Sequence, residues 1–250
     1  MNPTFSSRQW AEMMARLLEL ETAVSPLQPP PPDESTFTHL PGTIPILLSA
    51  PHSASHWRNG RLKKEEGFTA AIVRYVAAHT SAHAFYTHYQ SEKDPNWHQE
   101  APYKSALEDV LRQHQIQFVL DIHGMSNRHK IGLALGTING RSCPSFYERQ
   151  IIHTLIAHGF VQTTSAQARQ LDELEWHRFV VNHPRFTGGV ISHTITRFIS
   201  QNVGIPAVQL ELCTRLRVVP PTYHQYESFL RGVMMTVTTL IALVHNLVNC

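Results

Sequence analysis

Phe118-Val119-Leu120-Asp121-Ile122-His123-Gly124 reads as a buried strand that runs straight into a histidine. Its apolar run has strand length and is stopped by a turn residue. Ile46-Leu47-Leu48-Ser49-Ala50-Pro51-His52 repeats the pattern earlier in the chain. Both deliver an imidazole at a strand's carboxyl end, where open α/β sheets build their ligand crevices.

Outward from these two stretches, periodicity predicts an alternation of strands and helices. Strands are expected at 44–50, 84–89, 117–122, 131–136, 159–163 and 207–213. Helices are expected at 65–79, 102–114, 145–158, 168–180 and 190–202, with a long apolar helix from Phe229 to Val248 closing the chain. This order implies an α/β three-layer sandwich around a central mixed, largely parallel sheet. Residues 6–22 form an amphipathic helix, and the run Ser25-Pro26-Leu27-Gln28-Pro29-Pro30-Pro31-Pro32 reads as a stiff spacer. Residues 1–36 are therefore expected to be an appendage, and 37–250 a single catalytic domain.

The bulk composition narrows the function. With 250 residues, 42% of them apolar, the chain can bury a substantial core. A net charge of +2 and the absence of a dense basic run give no nucleic-acid signal; Arg61-Leu62-Lys63-Lys64 reads as a solvated loop or helix start. Three scattered cysteines form neither a disulfide framework nor a cysteine-rich zinc site, which fits a reducing, cytoplasmic setting. No signal peptide is expected. The last helix carries Arg231, His245 and Asn246 and is expected to pack on the sheet rather than span a membrane. Seventeen histidines are too many to be informative by number, so only position singles one out.

Position singles out His52, fixed by the preceding proline, and His123, two residues from Asp121 on one strand face. Two imidazoles and an acid can make a metal site with a position left open for water. Asp121 is placed to orient His123. Glu65 and Glu66 both sit where they could reach back beside His52, and His56 is a competing ligand in a polar loop. Glu211, inside the apolar strand Ala207-Val208-Gln209-Leu210-Glu211-Leu212-Cys213, is costly unless partnered or used, and it suits a general base. Arg217, Arg128 and His98 are the groups available to steady an oxyanion.

Pro51-His52-Ser53, Glu66-Gly67-Phe68-Thr69, Asp94-Pro95-Asn96, Asp121-Ile122-His123-Gly124 and Gln209-Leu210-Glu211 with Arg217 occur in one order. In that order the sequence resembles N-formylglutamate amidohydrolases, whose α/β fold is shared with zinc carboxypeptidases and aspartoacylase-type deacylases. The resemblance covers about 42–220. It implies one Zn2+ per chain held by His52, Glu66 and His123, with Glu211 as general base and proton shuttle. It also sets the segment Asp94 to Asn96 along the substrate side. Beside it, Arg217 is expected to be catalytic and Arg128 to bind substrate. Two positions depart from the family pattern. The usual glycine after His-Ser is Ala54, and the Asp94–Asn96 segment has no adjacent arginine. The expectation is a zinc amidohydrolase acting on a small N-acyl amino acid or peptide-like substrate, with no nucleic-acid partner. A metal phosphoesterase and a non-catalytic binding relative are the alternatives.

Overall fold

A computed structural model describes residues 6–222 and 227–249. The strands are β1 (Phe37–Leu40), β2 (Ile46–Ala50), β3 (His56–Arg58), β4 (Arg61–Lys63), β5 (His83–Thr87), β6 (Phe118–Met125), β7 (Ile131–Gly136), β8 (Val161–Gln162), β9 (Glu175–Val181) and β10 (Ala207–Cys213). The helices are α1 (Ser7–Thr22), α2 (Thr69–Thr80), α3 (Pro102–Gln113), α4 (Ser145–Ala157), α5 (Ser165–Arg169), α6 (Ile195–Phe198), α7 (Thr214–Arg217) and α8 (Glu227–Val248). The side chain of Phe229, with which the expected closing helix begins, lies outside the described residues.

Eight strands form one sheet in the order β1-β5-β2-β6-β10-β7-β9-β8. The β1–β5 and β10–β7 pairs are antiparallel. The other pairs, β2 with β5 and β6, β6 with β10, and β9 with β7 and β8, are parallel. The sheet is thus mixed and mostly parallel, as the alternating pattern implies. Period-two alternation sorts the central strands between two layers. Ile46, Leu48, Phe118, Leu120, Val208 and Leu210 face one core with α1, α2, α4 and α8, while Leu47 and Val119 face the other with α3 and α6. Asp121 and His123 share the Val119 face, so the polar end of β6 opens toward the α3 and α6 layer.

Three local expectations are corrected. The segment 168–180, expected to be helical, holds only the end of α5 and then most of β9. The tract Glu175-Trp176-His177-Arg178-Phe179-Val180-Val181 is aromatic and β-branched at its core, and pairing with β7 and β8 on both sides overrides any helical period. The helix expected at 190–202 shrinks to α6, then widens into a π turn over Ile199–Val203 that Gly204 ends at φ +83°. Arg61-Leu62-Lys63 is strand β4, hairpinned to β3 through Asn59 and Gly60 at φ +51° and +70°. An Asn-Gly pair supplies the positive φ values that such a turn requires.

The N-terminal segment is packed into the domain. Met13, Met14, Leu17 and Leu20 of α1 are buried against α2. The proline-rich run lies along the domain rather than standing off it: the Pro26 carbonyl accepts the Ser55 N–H at 2.9 Å, and the Gln28 carbonyl accepts the Gln90 N–H at 2.8 Å. α8 is long and apolar enough, by length and composition, to cross a membrane. Its Val233, Val237, Leu240, Val244 and Leu247 are buried in the core, against α2, α4 and β2.

Candidate active site

The ends of β2, β6 and β10 converge because these strands are neighbours in the sheet. β6 and β10 are parallel in a register that sets Glu211 beside His123. His52 follows β2 by two residues, and its ring centroid lies 4.9 Å from that of His123. Glu66 precedes α2 and is brought back by its own N–H, which donates to the His52 carbonyl at 2.8 Å.

The Glu66 carboxylate spans the two imidazoles. Its Oε1 lies 3.0 Å from His52 Nδ1 and its Oε2 lies 3.0 Å from His123 Nδ1. Oε2 also accepts the Gly124 N–H at 2.8 Å. One ligating atom from each of His52, Glu66 and His123 falls within 4.8 Å of the others. The remaining ring nitrogens are held from behind. His52 Nε2 is 2.9 Å from Asp94 Oδ1, and His123 Nε2 is 3.3 Å from Asp121 Oδ2. A proton on Nε2 of each ring would face these carboxylates and free both Nδ1 atoms, each 3.0 Å from Glu66, for a metal. Two imidazoles, one carboxylate and a carboxylate behind each ring are a donor set suited to zinc.

Glu66 is the acid in this set; Glu65 has no part in it. The second grouping, His52, His56 and Asp94, is poorer. Its carboxylate is already engaged, by the guanidinium of Arg58 and His56 Nε2 on one oxygen and by His52 Nε2 on the other.

The charges of the cluster are interdependent. Burial disfavours charge on His52, but the carboxylates of Glu66 and Asp94 outweigh it and raise its pKa to about 9. His123 is raised in the same way, burial being overcome by Asp121 and Glu66. Glu66, though buried, is held well below the usual carboxylate range by His52 and His123. Glu211 goes the other way. Burial pushes it up to about 7, only partly offset by His123, and Gln209 Nε2 donates to its Oε1 at 2.9 Å. A carboxylate whose pKa lies near neutrality can both take and return a proton.

A cleft of about 380 Å³ opens on this cluster, lined by His52, Glu66, His123 and Glu211 together with Arg58, Arg128 and Arg185. That volume suits a small organic substrate. Asn96 also lines it. The Asn96 amide is fixed by Ile195 N–H donating to Oδ1 at 2.8 Å, which leaves Nδ2 3.0 Å from His123 Nε2.

Three expected site residues stand elsewhere. Asp94, expected against the substrate, is fully buried behind His52, where His52, His56 and Arg58 all converge on it. Arg217, expected to touch the reacting groups, lies beneath the site. Its Nε donates to the Leu212 carbonyl at 3.3 Å and its Nη1 to the Gly67 carbonyl. It lies directly under Gly124, where a Cβ would stand 2.5 Å from Arg217 Nε. Arg217 therefore props the Gly67 and Gly124 backbone around Glu66. His98 turns its Nδ1 back to the Asp94 carbonyl at 3.1 Å and does not line the cleft. Asp121 sits as expected behind its histidine, also accepting from Ser49 Oγ at 3.0 Å and Thr196 Oγ1 at 3.1 Å.

Arg58 and Arg185 were not legible as cleft residues. Arg58 stacks over the Trp97 ring at 5.3 Å while holding Asp94. The one available signal was the Asn59-Gly60 turn, which marks the hairpin that carries it.

No protein-family model matches the sequence, and no curated protein does either. Solved structures do match in fold. N-formylglutamate amidohydrolase from Ralstonia eutropha JMP134 aligns with a TM-score of 0.55 at 14% identity, over 86% of this chain and 98% of that one. A gene product of Agrobacterium tumefaciens aligns with a TM-score of 0.50 at 9% identity, over 87% of this chain and 97% of that one. The chain therefore has the fold of the N-formylglutamate amidohydrolase structure, across nearly that protein's whole length.

Proposed function

We propose that the protein is a zinc-dependent amidohydrolase that cleaves an amide bond of a small N-acyl amino acid or peptide-like substrate. The observation that carries this reading is the convergence of His52 Nδ1, His123 Nδ1 and the Glu66 carboxylate, with Glu211 on the neighbouring strand at the same level. His52, Glu66 and His123 would hold the ion, one per catalytic site. When bound there, zinc supplies a Lewis acid for a carbonyl oxygen and lowers the pKa of a water toward about 7.

The chain's own groups do the rest. Glu211 takes the proton of the attacking water on one carboxylate oxygen and returns it to the leaving nitrogen. Asp94 and Asp121 keep the two rings in the tautomer that presents Nδ1. Arg58, restrained by Asp94 and Trp97, is the guanidinium proposed to steady the carbonyl oxygen as charge develops on it. Arg128 and Arg185 supply the cationic wall that the Asp94–Asn96 segment lacks. A substrate with a free carboxylate fits that wall, because a guanidinium pairs with carboxylate bidentately.

The test is metal analysis of wild type beside His52→Ala and His123→Ala, with hydrolysis of a panel of N-acyl amino acids and their amidated counterparts. The reading expects metal and turnover in wild type, loss of both in the two variants, and preference for the free carboxylates. Wild-type protein that takes up no metal at this cluster would point to a non-catalytic binding domain on the same scaffold.

A further inference from the structure

We propose that His39, His83 and His114 form a second metal site, for a late first-row divalent cation, at the other end of the sheet from the cleft. His39 is on the edge strand β1, His83 opens β5, and His114 follows the last residue of α3. β5 runs parallel to β2, so His83 lies at the amino end of the sheet while His52 leaves the carboxyl end. One nitrogen from each of the three rings falls within 4.8 Å of the others. His39 Nε2 and His83 Nδ1 are 3.1 Å apart, with the ring planes within 4° of parallel. The His114 ring lies 4.8 Å from that of His83 and 5.0 Å from that of His39.

Among the described residues no carboxylate pairs with any of these rings. Burial, together with the proximity of His83 and His114, holds His39 down to about 4. Burial and His114 likewise lower His83. Burial thus favours the neutral form of His39 and His83, the form in which an imidazole ligates a metal. Three imidazoles select zinc, nickel or copper(II) over magnesium or calcium, which prefer oxygen ligands. Three protein ligands also leave a coordination position for water or an external ligand. A bound ion would tie β1, β5 and the end of α3 together, so binding should raise thermal stability. The site is independent of the amidohydrolase reading, because it shares no residue with the cleft.

The experiment uses the full chain, stripped with chelator and titrated with Zn2+ by calorimetry and with Cu2+ by electron paramagnetic resonance. In a His52→Ala/His123→Ala variant we expect one remaining equivalent, a nitrogen hyperfine pattern on copper and a higher melting temperature with the ion. Adding His39→Gln and His114→Gln should abolish all three. In the wild-type background the same two glutamines should lower the stoichiometry by one and leave the cleft's ion in place, which decides the question even if the alanine variant does not fold. An unchanged stoichiometry in the glutamine variants would overturn the site, as would a His52→Ala/His123→Ala variant that folds and binds no ion.

Discussion

The Glu21 carboxylate of α1 accepts the backbone N–H of Phe68 at 2.7 Å, two residues beyond Glu66. Phe68 has φ +69°, a left-handed conformation that a phenylalanine adopts only under constraint. Glu21 thus helps hold the turn that aims Glu66 between the two imidazoles, from a segment that sequence patterning sets outside the domain. Glu21→Ala should weaken metal binding at the cleft roughly tenfold, the usual effect of losing an outer partner. Phe68→Gly in that background should recover part of the loss by relieving the backbone. A competition titration with a zinc chelator measures both, and equal affinities across the series would remove Glu21 from the site.

The strand-borne part of the site was legible because a buried strand and a polar residue at its end leave a strong local signal. His52, Asp121, His123 and Glu211 all stand out in this way. What could not be read was convergence from loops. Asp94 lies in a polar stretch, and nothing local says that His52, His56 and Arg58 will close around it. Arg217 looks like a site arginine in the linear order, yet its fork is taken by the Leu212 and Gly67 carbonyls. β9 was obscured for a different reason. A strand paired on both sides draws its stability from neighbours, and those neighbours are distant in sequence.

Asp94→Asn should be costly in two ways. His52 and Arg58 would lose their shared counter-charge, and the buried imidazole would lose its acceptor. We expect about 3 kcal/mol of destabilisation at neutral pH and a 10–100-fold loss of metal affinity. Burial works against the Asp94 charge, but His52 outweighs it, so the carboxyl is held far below its ordinary range. Its stabilising contribution is therefore present above the unfolded value of about 4 and fades as pH falls toward the native value. The gap between wild type and Asp94→Asn should narrow on acidification. Denaturant midpoints at neutral and acidic pH test this, and a pH-independent gap would mean that the aspartate acts by shape alone.

Arg128 and Arg185 make a prediction about substrate rather than chemistry. Both line the cleft. Replacing either with alanine should raise KM for a carboxylate-bearing substrate about tenfold, the worth of one charge-assisted hydrogen bond, with kcat little changed. The amidated counterpart should be indifferent to both changes. If kcat collapses while KM stays fixed, one of these arginines touches the reacting atoms and the assignment to Arg58 is wrong.

Glu211→Gln separates the base from the ion. The glutamine keeps the shape and the contact with Gln209 but accepts no proton, so metal should be retained while turnover falls by about 10²–10⁴. The pH behaviour gives a second readout. Because burial raises the native pKa to about 7, the folded protein keeps a proton that the unfolded chain releases near 4.3. The stability this proton provides is complete below about 4.3 and is lost as pH rises through about 7. Metal-free Glu211→Gln should therefore be more stable than metal-free wild type at pH 8, by on the order of 3–4 kcal/mol, and the two should converge at pH 4. In the active enzyme a bound dication would favour the carboxylate, so the rising limb of kcat/KM should lie below pH 7 and vanish in the glutamine variant. Denaturation midpoints of the metal-free proteins and the pH profile of residual activity together check this. A variant that keeps both the wild-type limb and near-native turnover would place the base elsewhere in the cleft.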